Sequence, residues 1–130
     1  MDIVVDTSVL IAVISNEAQR DRLVEATKGA DLLAPASVHW EVGNALSAML
    51  KRRRISLSDA LEAIRAYQRI PVRVVDIEIE EAIKTAAMVG VYAYDAYIIR
   101  CALKHNAPVL SLDHGLRDAA QRAGASVVEM

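Results

Sequence analysis

The stretch Ile3-Val4-Val5-Asp6-Thr7-Ser8 decides the fold of this sequence. Its three apolar β-branched residues are typical of a short strand buried on both faces, and such strands occur in parallel sheets covered by helices. After Asp6 the sequence changes to a helical apolar pattern that runs to Ile14. Asp6 therefore ends a strand and precedes a helix, the position at which open α/β sheets bind their ligands.

The rest of the chain alternates between short apolar runs and helical patterns. Further strands are predicted over Leu32–Ala34, Val72–Val75, Val109–Leu112 and Val127–Val128. Helices are predicted over Val9–Ile14, Glu17–Thr27, Val38–Arg53, Ser58–Ile70, Glu78–Met88, Asp95–Lys104 and Leu116–Arg122. This alternation, with right-handed crossovers, predicts an α/β fold, a three-layer α/β/α sandwich with a central parallel sheet.

The composition is that of a small domain with an aliphatic core. The chain has 130 residues, of which 54% are hydrophobic, but only 4% are aromatic and none is phenylalanine. We expect a single domain over residues 1–130 with a core of Val, Ile, Leu and Ala. The net charge of -2 excludes a protein that coats nucleic acid by bulk electrostatics. The low aromatic content gives no sign of a surface that reads bases by stacking.

Two features favour a reducing, cytoplasmic location. Cys101 is the only cysteine and follows Ile98 and Ile99 in an apolar setting, which indicates a core residue rather than a reactive thiol. The apolar run over residues 3–14 is interrupted by Asp6, is too short for a transmembrane helix and lacks the basic leader of a signal peptide. We therefore expect a soluble cytoplasmic protein without a membrane partner.

Four acidic residues stand at positions where a carboxylate indicates a functional site. Asp6 and Asp113 end apolar strand patterns, the second of them in Leu110-Ser111-Leu112-Asp113. Glu41 lies within or beside the apolar stripe of its helix, and Asp95 is placed in the same way on a later helix. A carboxylate on a buried helix face is costly unless it is paired or bound to a metal.

Helix capping is the alternative explanation for three of these acids. Asp6, Asp95 and Asp113 each precede a helical pattern, and aspartate is a favoured N-cap residue. Glu41 has no such explanation, and Asn44 would share its helix face. If the four carboxylates meet in one crevice, their mutual repulsion opposes ionisation, and a divalent cation removes that conflict. Hard oxygen ligands favour Mg²⁺ or Mn²⁺ over zinc.

Two other groups of residues have plainer explanations. The three histidines, His39, His105 and His114, do not form a ligand set and are interpreted as surface, helix-end and turn residues. The basic run Lys51-Arg52-Arg53-Arg54 ends the helix that carries Glu41, where it interacts favourably with the helix dipole. The same run would hold a nucleic-acid backbone if the crevice binds a phosphodiester.

Four short motifs together resemble the motif blocks of the PIN domain family. They are Val5-Asp6-Thr7-Ser8, Glu41 with Asn44, Tyr94-Asp95-Ala96 and Leu110-Ser111-Leu112-Asp113. The resemblance is greatest to VapC-type toxins of prokaryotic type II toxin–antitoxin pairs and to their stand-alone relatives, and it covers essentially the whole chain. It implies an acidic metal-binding set of Asp6, Glu41, Asp95 and Asp113, with a supporting polar shell of Thr7, Ser8, Asn44 and Ser111.

The resemblance also implies an activity and partners. We expect an endoribonuclease that hydrolyses phosphodiester bonds in single-stranded or loop RNA with one or two Mg²⁺ or Mn²⁺ ions and leaves 5′-phosphate and 3′-hydroxyl ends. The family implies a homodimer and, in the toxin branch, a cognate antitoxin protein that blocks the site. Asp6 and Asp95 are both candidates for orienting the attacking water.

Other functions are compatible with an acidic pocket in such a sandwich. An aspartyl-phosphate phosphatase also begins with a strand-end aspartate, but it needs a second acid where this chain has Ser8. A receiver-type signalling domain needs a lysine after a late strand, and no lysine follows Pro108. A stand-alone RNA-processing nuclease and an RNA-binding module without cleavage stay open as alternatives.

Overall fold

The structure, a computed structural model, describes residues 1–130. Its four strands are β1 Asp2–Val5, β2 Asp31–Pro35, β3 Val72–Val75 and β4 Val109–Leu110. Its seven helices are α1 Thr7–Ile14, α2 Arg20–Ala26, α3 Val38–Lys51, α4 Leu57–Arg69, α5 Ile79–Val89, α6 Ala93–His105 and α7 His114–Arg122. Helices cover both faces of the sheet, so the predicted α/β/α sandwich is confirmed.

The four strands form one parallel sheet in the order β3-β2-β1-β4. From β1 the chain builds outward to β2 and β3 on one side, and it then places β4 on the other side of β1. The carboxyl ends of β1 and β4 therefore flank the point where the strand order reverses. Open α/β sheets bind ligands in the crevice at that point, and here Asp6 follows β1 and Ser111 follows β4.

Alternating side chains of β1 join the two hydrophobic layers. Ile3 and Val5 pack with apolar residues of α1 to α4, whereas Val4 packs on the opposite face with residues of α6 and α7. All three side chains are fully buried. Since both faces of β1 are covered, this strand lies inside the sandwich and brings Asp6 to the middle of one edge of the sheet.

Two helix ends show how local hydrogen bonding sets the boundaries. The predicted start of α4 was Ser58 with Asp59, but Ser56 is the N-cap, and its side chain and that of Asp59 form a reciprocal capping box. The helix α6 begins before Asp95, so Asp95 lies in its first turn and not at its cap. Gly90 ends α5 in the left-handed conformation, which glycine adopts without steric cost.

The helix predicted over residues 17–27 was too long. Asn16 adopts a left-handed backbone with φ of 54° and turns the chain after α1, so α2 begins only at Arg20. The remaining helices agree with their predicted ranges to within two residues at either end.

The two strand predictions near the C-terminus were also too long. β4 ends at Leu110 rather than at Leu112, because the Leu112 N–H donates to the Oγ of Ser8 instead of to a neighbouring strand. The strand predicted over Val127–Val128 is reduced to a single parallel bridge between Val127 and Val109. Because β4 is short, the backbone N–H groups of Leu112 and Asp113 are not used in the sheet and donate instead to the side chains of Ser8 and Ser111.

Cys101 is a core residue, as the sequence indicated. It is fully buried in the layer formed by α6, α7 and the sheet. Burial raises the pKa of its thiol to about 12, so the thiol stays protonated and inert as a nucleophile.

No single helix of the structure has the length and hydropathy needed to cross a bilayer; α5 and α6 pass that test only as a pair, and they meet at an angle of 108°.

Candidate active site

Asp6 is held at the carboxyl end of β1 by hydrogen bonds to both carboxylate oxygens. Its Oδ1 accepts from Ser8 Oγ at 2.7 Å and from the Val9 N–H at 3.2 Å, and its Oδ2 accepts from Ser111 Oγ at 2.6 Å. The contact with Val9 makes Asp6 the N-cap of α1, so the capping explanation is correct for this residue. Capping does not account for its burial, since only 5% of Asp6 is exposed.

Two serine hydroxyls connect Asp6 to the loop that follows β4. Ser8 Oγ donates to Asp6 and accepts the backbone N–H of Leu112 at 3.1 Å. Ser111 Oγ donates to Asp6 in the same way and accepts the backbone N–H of Asp113 at 3.0 Å. Because each hydroxyl accepts from a backbone group, its own proton is directed at the carboxylate.

Asp113 caps the last helix with one oxygen and leaves the other free. Its Oδ1 accepts the backbone N–H groups of Gly115 at 2.9 Å and Leu116 at 3.3 Å, which makes Asp113 the N-cap of α7. The side chain is exposed. A Cβ at position 115 would lie 3.3 Å from Asp113 Oδ1, so glycine leaves room for the capping carboxylate.

Glu41 reaches the same crevice from α3. The helix buries Val38, Val42 and Leu46, and Glu41 lies half-buried beside them, as its place near the apolar stripe predicted. The Oγ of Ser37, four residues earlier, donates to Glu41 Oε2 at 3.3 Å. Sequence reasoning missed Ser37, although the spacing from i to i+4 on a helix is a signal that identifies it.

Asp95 is the acid with the fewest constraints. It is the third residue of α6, whose N-cap is Tyr92, so capping does not explain Asp95. Its carboxylate is partly buried, and neither oxygen accepts a hydrogen bond from the protein. Of the four acids it is the one whose two oxygens are both free.

Burial and mutual repulsion raise the pKa of three of these carboxyl groups. Loss of hydration on burial is the largest cause for Asp6, Glu41 and Asp95. The charge of Asp113 further raises the pKa of Asp6 and Asp95, and the charge of Asp6 raises that of Glu41 and Asp95. Hydrogen bonds from hydroxyl groups offset part of the effect on Asp6 and Glu41. The four acids therefore form one electrostatic group.

No cationic side chain neutralises this group. The ion pairs of the structure use other carboxylates, including Asp2, Glu78 and Asp118. Thr7 Oγ1 is buried without a partner at hydrogen-bonding geometry, although it lies near enough to Glu41 to lower the pKa of that carboxyl group. Carboxylates without a cationic partner, together with a buried hydroxyl that makes no hydrogen bond, provide oxygen ligands. Such ligands suit a hard divalent cation such as Mg²⁺ or Mn²⁺.

The carboxylates lie near enough to repel one another, but they do not form a closed set of ligands. No three acidic, histidine or cysteine side chains are positioned to hold a metal ion as they stand. The free oxygens of Asp95 and the free oxygen of exposed Asp113 are the ones able to turn toward an ion. That all four acids share one cation stays a prediction.

A cleft with a volume of about 240 Å³ opens beside Glu41. Its lining residues are Thr7, Trp40, Glu41, Asn44, Ala45 and Tyr94. Asn44 thus shares the face of Glu41, as their spacing predicted. Trp40 was not expected at a site, and Tyr94 was expected only as part of the motif around Asp95, because the low aromatic content gave no sign of an aromatic surface. The available signal was local, since each of them directly precedes one of the acids.

The histidines and the basic run lie outside the acidic group. His39 shares a hydrogen bond with the hydroxyl of Tyr67, His105 ends α6, and His114 begins α7. Residues 51–54 are exposed at the end of α3 and form no ion pair. The plain explanations for His39 and His105 fit their positions, whereas His114, which was interpreted as a turn residue, is the first residue of α7.

The raised pKa values predict that the metal-free protein loses stability as pH rises. A carboxyl group with a higher pKa in the folded than in the unfolded chain binds its proton more tightly when folded. The free energy of unfolding therefore falls as pH rises from the ordinary pKa of Asp6 and Asp95, 3.8, through the raised values. Denaturant unfolding in EDTA between about pH 4 and about pH 8 measures this effect. The Asp6→Asn variant removes one contributor and should lose less stability over that window; an equal or greater loss contradicts the prediction.

The chain matches the model of the PIN domain family over residues 3–122. A comparison with curated proteins gave no match.

Several solved structures share the fold of the chain, among them three from different organisms. PAE2754 from Pyrobaculum aerophilum is 21% identical with a TM-score of 0.73, and the match covers 92% of this chain and 79% of that one. VapC20 from Mycobacterium tuberculosis, a sarcin–ricin-loop-cleaving toxin, is 18% identical with a TM-score of 0.67 and coverages of 98% and 99%. FitAcB from Neisseria gonorrhoeae is 16% identical with a TM-score of 0.69 and coverages of 98% and 96%. At these identities the likeness establishes the fold.

Proposed function

We propose that this chain, which belongs to the PIN domain family, is a Mg²⁺- or Mn²⁺-dependent endoribonuclease, and that residues 1–130 form one such domain. The observation that carries the proposal is the group of four acids at the switch point of the sheet. Three of them have raised pKa values, and none has a cationic partner. Such uncompensated charge is typical of a functional site.

The four acids are the proposed metal ligands, and their surroundings give them different tasks. A bound divalent ion supplies a Lewis acid that lowers the pKa of water and offsets the negative charge that develops on phosphate oxygens. Asp6 is the fixed ligand, because Ser8 and Ser111 hold its two oxygens in one orientation. Glu41 is oriented by Ser37, and the free oxygens of the other two acids adjust to the ion and the substrate.

Asp95 is the proposed acceptor of the proton of the attacking water. The sequence left Asp6 and Asp95 as candidates. Both oxygens of Asp6 already accept hydrogen bonds, whereas both oxygens of Asp95 are free. In-line attack of the water then forms a new phosphorus–oxygen bond and breaks the bond to the 3′ oxygen, which takes up a proton from solvent. The products carry 5′-phosphate and 3′-hydroxyl ends.

The proposed biological role is that of the toxin in a toxin–antitoxin pair. Support comes from the family and from the toxin VapC20, which has the same fold. The proposed partners are RNA as substrate, a cognate antitoxin protein and a second copy of the chain in a homodimer. The inert, buried thiol of Cys101 supports a reducing, cytoplasmic location. Growth arrest on expression of the wild type, relieved by a neighbouring small reading frame, separates this role from that of a stand-alone nuclease.

The nuclease proposal is tested by cleavage of a labelled single-stranded RNA with purified, antitoxin-free protein. We expect cleavage with Mg²⁺ or Mn²⁺, none in EDTA, and product ends that carry a 5′-phosphate. Asp95→Asn should abolish cleavage, whereas the control Asp31→Asn, at the start of β2 and thus at the opposite sheet edge, should retain it. Undiminished cleavage by Asp95→Asn sinks the assignment. Metal and RNA binding by the wild type without cleavage identifies an RNA-binding module instead.

Ser111→Ala is expected to weaken metal binding and cleavage about 10- to 100-fold, because it removes a hydrogen bond that orients a ligand. The substitution takes the donor at 2.6 Å from Asp6 Oδ2 and leaves the Asp113 N–H without its acceptor. Calorimetric titration with Mn²⁺ and cleavage kinetics measure the two effects. Ser111→Thr keeps the hydroxyl and is expected to recover part of the loss; equal losses in both variants point to packing rather than to the hydrogen bond.

The basic run after α3 is proposed to hold the RNA backbone beyond the site. Lys51 lies ten residues after Glu41, or about 15 Å along the helix axis. Replacing Arg52 and Arg54 by glutamine should weaken RNA binding and reduce the slope of log affinity against log salt by about 1.4, or about 0.7 for each contact. An unchanged slope shows that these residues serve only solvation and the helix dipole. Arg53 is left in place because its φ is 58°.

A further inference from the structure

Two flat aromatic side chains are exposed to solvent in the cleft beside Glu41. Trp40 of α3 is 77% exposed and Tyr94 of α6 is 56% exposed. Each directly precedes a proposed metal ligand, and the two line the same cleft although they come from different helices. The chain has only five aromatic residues, and two of them lie exposed in one cleft at the site. Exposed aromatic side chains that lie together in this way indicate a binding surface.

The ring of Tyr94 is positioned by a neighbour. Tyr94 and Tyr97, one turn apart on α6, meet edge to face with ring centroids 6.1 Å apart and an angle of 81° between the rings. A ring held in this way loses little conformational entropy when another ring stacks on its free face. The cleft is thus preorganised on the side formed by α6.

The remaining lining of the cleft is polar and small. Asn44 offers one amide donor group and one carbonyl acceptor, and Ala45 adds only a methyl group. The volume of about 240 Å³ lies below the roughly 300 Å³ at which pockets for drug-sized ligands begin. A single flat ring with a polar edge matches this combination of size, aromatic surface and carboxamide.

We propose that this cleft binds one unpaired nucleobase of the substrate strand, next to the phosphodiester that is cleaved. Trp40 and Tyr94 contribute stacking surface, and Asn44 hydrogen-bonds to the edge of the base. The inference rests on the proposed nuclease function, because Glu41 and Thr7 join the cleft to the acidic group. A base in a duplex has no free face, so the cleft selects single-stranded or loop RNA over paired RNA.

The optical test uses the fact that Trp40 is the only tryptophan of the chain. The full-length Asp6→Asn protein, which should not cleave, is titrated with an unpaired RNA oligomer and with the same oligomer in a duplex. Stacking predicts strong quenching of tryptophan fluorescence by the unpaired oligomer and weak quenching by the duplex. Unchanged fluorescence while the anisotropy of labelled RNA shows saturated binding, or equal quenching by both forms, overturns the proposal.

The kinetic test separates substrate binding from chemistry. Trp40→Ala is expected to raise KM for unpaired RNA roughly 5- to 150-fold, as loss of one base–aromatic stack does, with a smaller change in kcat. Trp40→Phe should recover most of the loss. Tyr92→Ala is the matched control, because Tyr92 is 90% exposed two residues before Tyr94 but does not line the cleft. An unchanged KM in Trp40→Ala contradicts the inference.

The outcomes distinguish this inference from the function on which it rests. A wild type that never cleaves RNA, but whose Trp40 fluorescence is quenched by unpaired RNA only, defeats the nuclease proposal and supports the base-binding cleft. Normal cleavage by the wild type together with an unchanged KM in Trp40→Ala supports the nuclease proposal and defeats the base-binding cleft. Loss of self-association in Trp40→Ala, measured by light scattering, together with unchanged RNA binding shows that the aromatic surface is a protein interface and overturns the inference.

Discussion

Asp6→Asn is expected to abolish metal-dependent RNA cleavage while leaving the metal-free fold at least as stable as the wild type. Loss of even an outer partner of a metal ligand costs about 10- to 100-fold, so loss of the best-held carboxylate should lower kcat/KM by about a hundredfold or more. The substitution also removes a charge that raises the pKa of Glu41 and Asp95. Loss of activity without loss of stability is what we expect of a residue that is needed for function but lowers the free energy of unfolding.

Stability survives because asparagine can make nearly the same hydrogen bonds. Its carbonyl oxygen can accept from Ser8 Oγ and the Val9 N–H, and asparagine caps helices about as well as aspartate. The amide nitrogen that replaces Oδ2 can donate to Ser111 Oγ, which has a second lone pair beside the one used by the Asp113 N–H. The hydrogen-bond network is kept, and only the negative charge is lost.

Cleavage kinetics with Mn²⁺ and thermal unfolding in EDTA measure the two effects together. The exposed Asp31→Asn variant is the matched control for the loss of one aspartate charge. A clear fall in the melting temperature of Asp6→Asn means that the residue acts mainly as a structural cap, so that lost cleavage reflects lost fold. Unchanged kcat/KM with an intact fold would falsify the assignment of Asp6 as a ligand.

The sandwich was predictable because its decisive signals are local. The β-branched run before Asp6 indicates a strand covered on both faces, and the alternation of strands with helices then requires parallel pairing. The strand order depends on which crossover goes to which side of β1, and no local pattern carries that information. The bridge at Val127 was overpredicted as a strand for a related reason, since an apolar pair does not reveal whether a neighbouring strand continues alongside it.

The acids of the site could be predicted where a carboxylate stands in an otherwise apolar stretch of sequence. Glu41 could be found because a carboxylate near an apolar helix stripe needs an explanation. Trp40 and Ser37 were missed because an exposed aromatic and a serine at a helix start are both ordinary features of a surface. Only the three-dimensional arrangement shows that Trp40 shares a cleft with Tyr94 and that Ser37 donates to Glu41.

Addition of Mg²⁺ or Mn²⁺ is expected to stabilise the protein more at pH 7 than near pH 5. An ion that binds only the folded chain adds about 2.7 kcal/mol at a concentration of 100 times its Kd. For a chain of this length that corresponds to a rise in melting temperature of roughly 10 °C. At lower pH protons compete for the same oxygens, because burial and repulsion raise the pKa values of Asp6, Glu41 and Asp95.

The dependence on pH distinguishes this site from general effects of salt. Ions that screen surface charge act similarly at both pH values and also stabilise variants of the acidic group, whereas a bound ion requires ionised carboxylates. Glu41→Gln should therefore lose most of the shift at pH 7, and Asp31→Asn should keep it. A shift of equal size at both pH values, or one that survives Glu41→Gln, shows that the ion does not bind these carboxylates. Because binding is reciprocal, saturating Mn²⁺ should also remove the decline in stability with rising pH that the metal-free protein is expected to show.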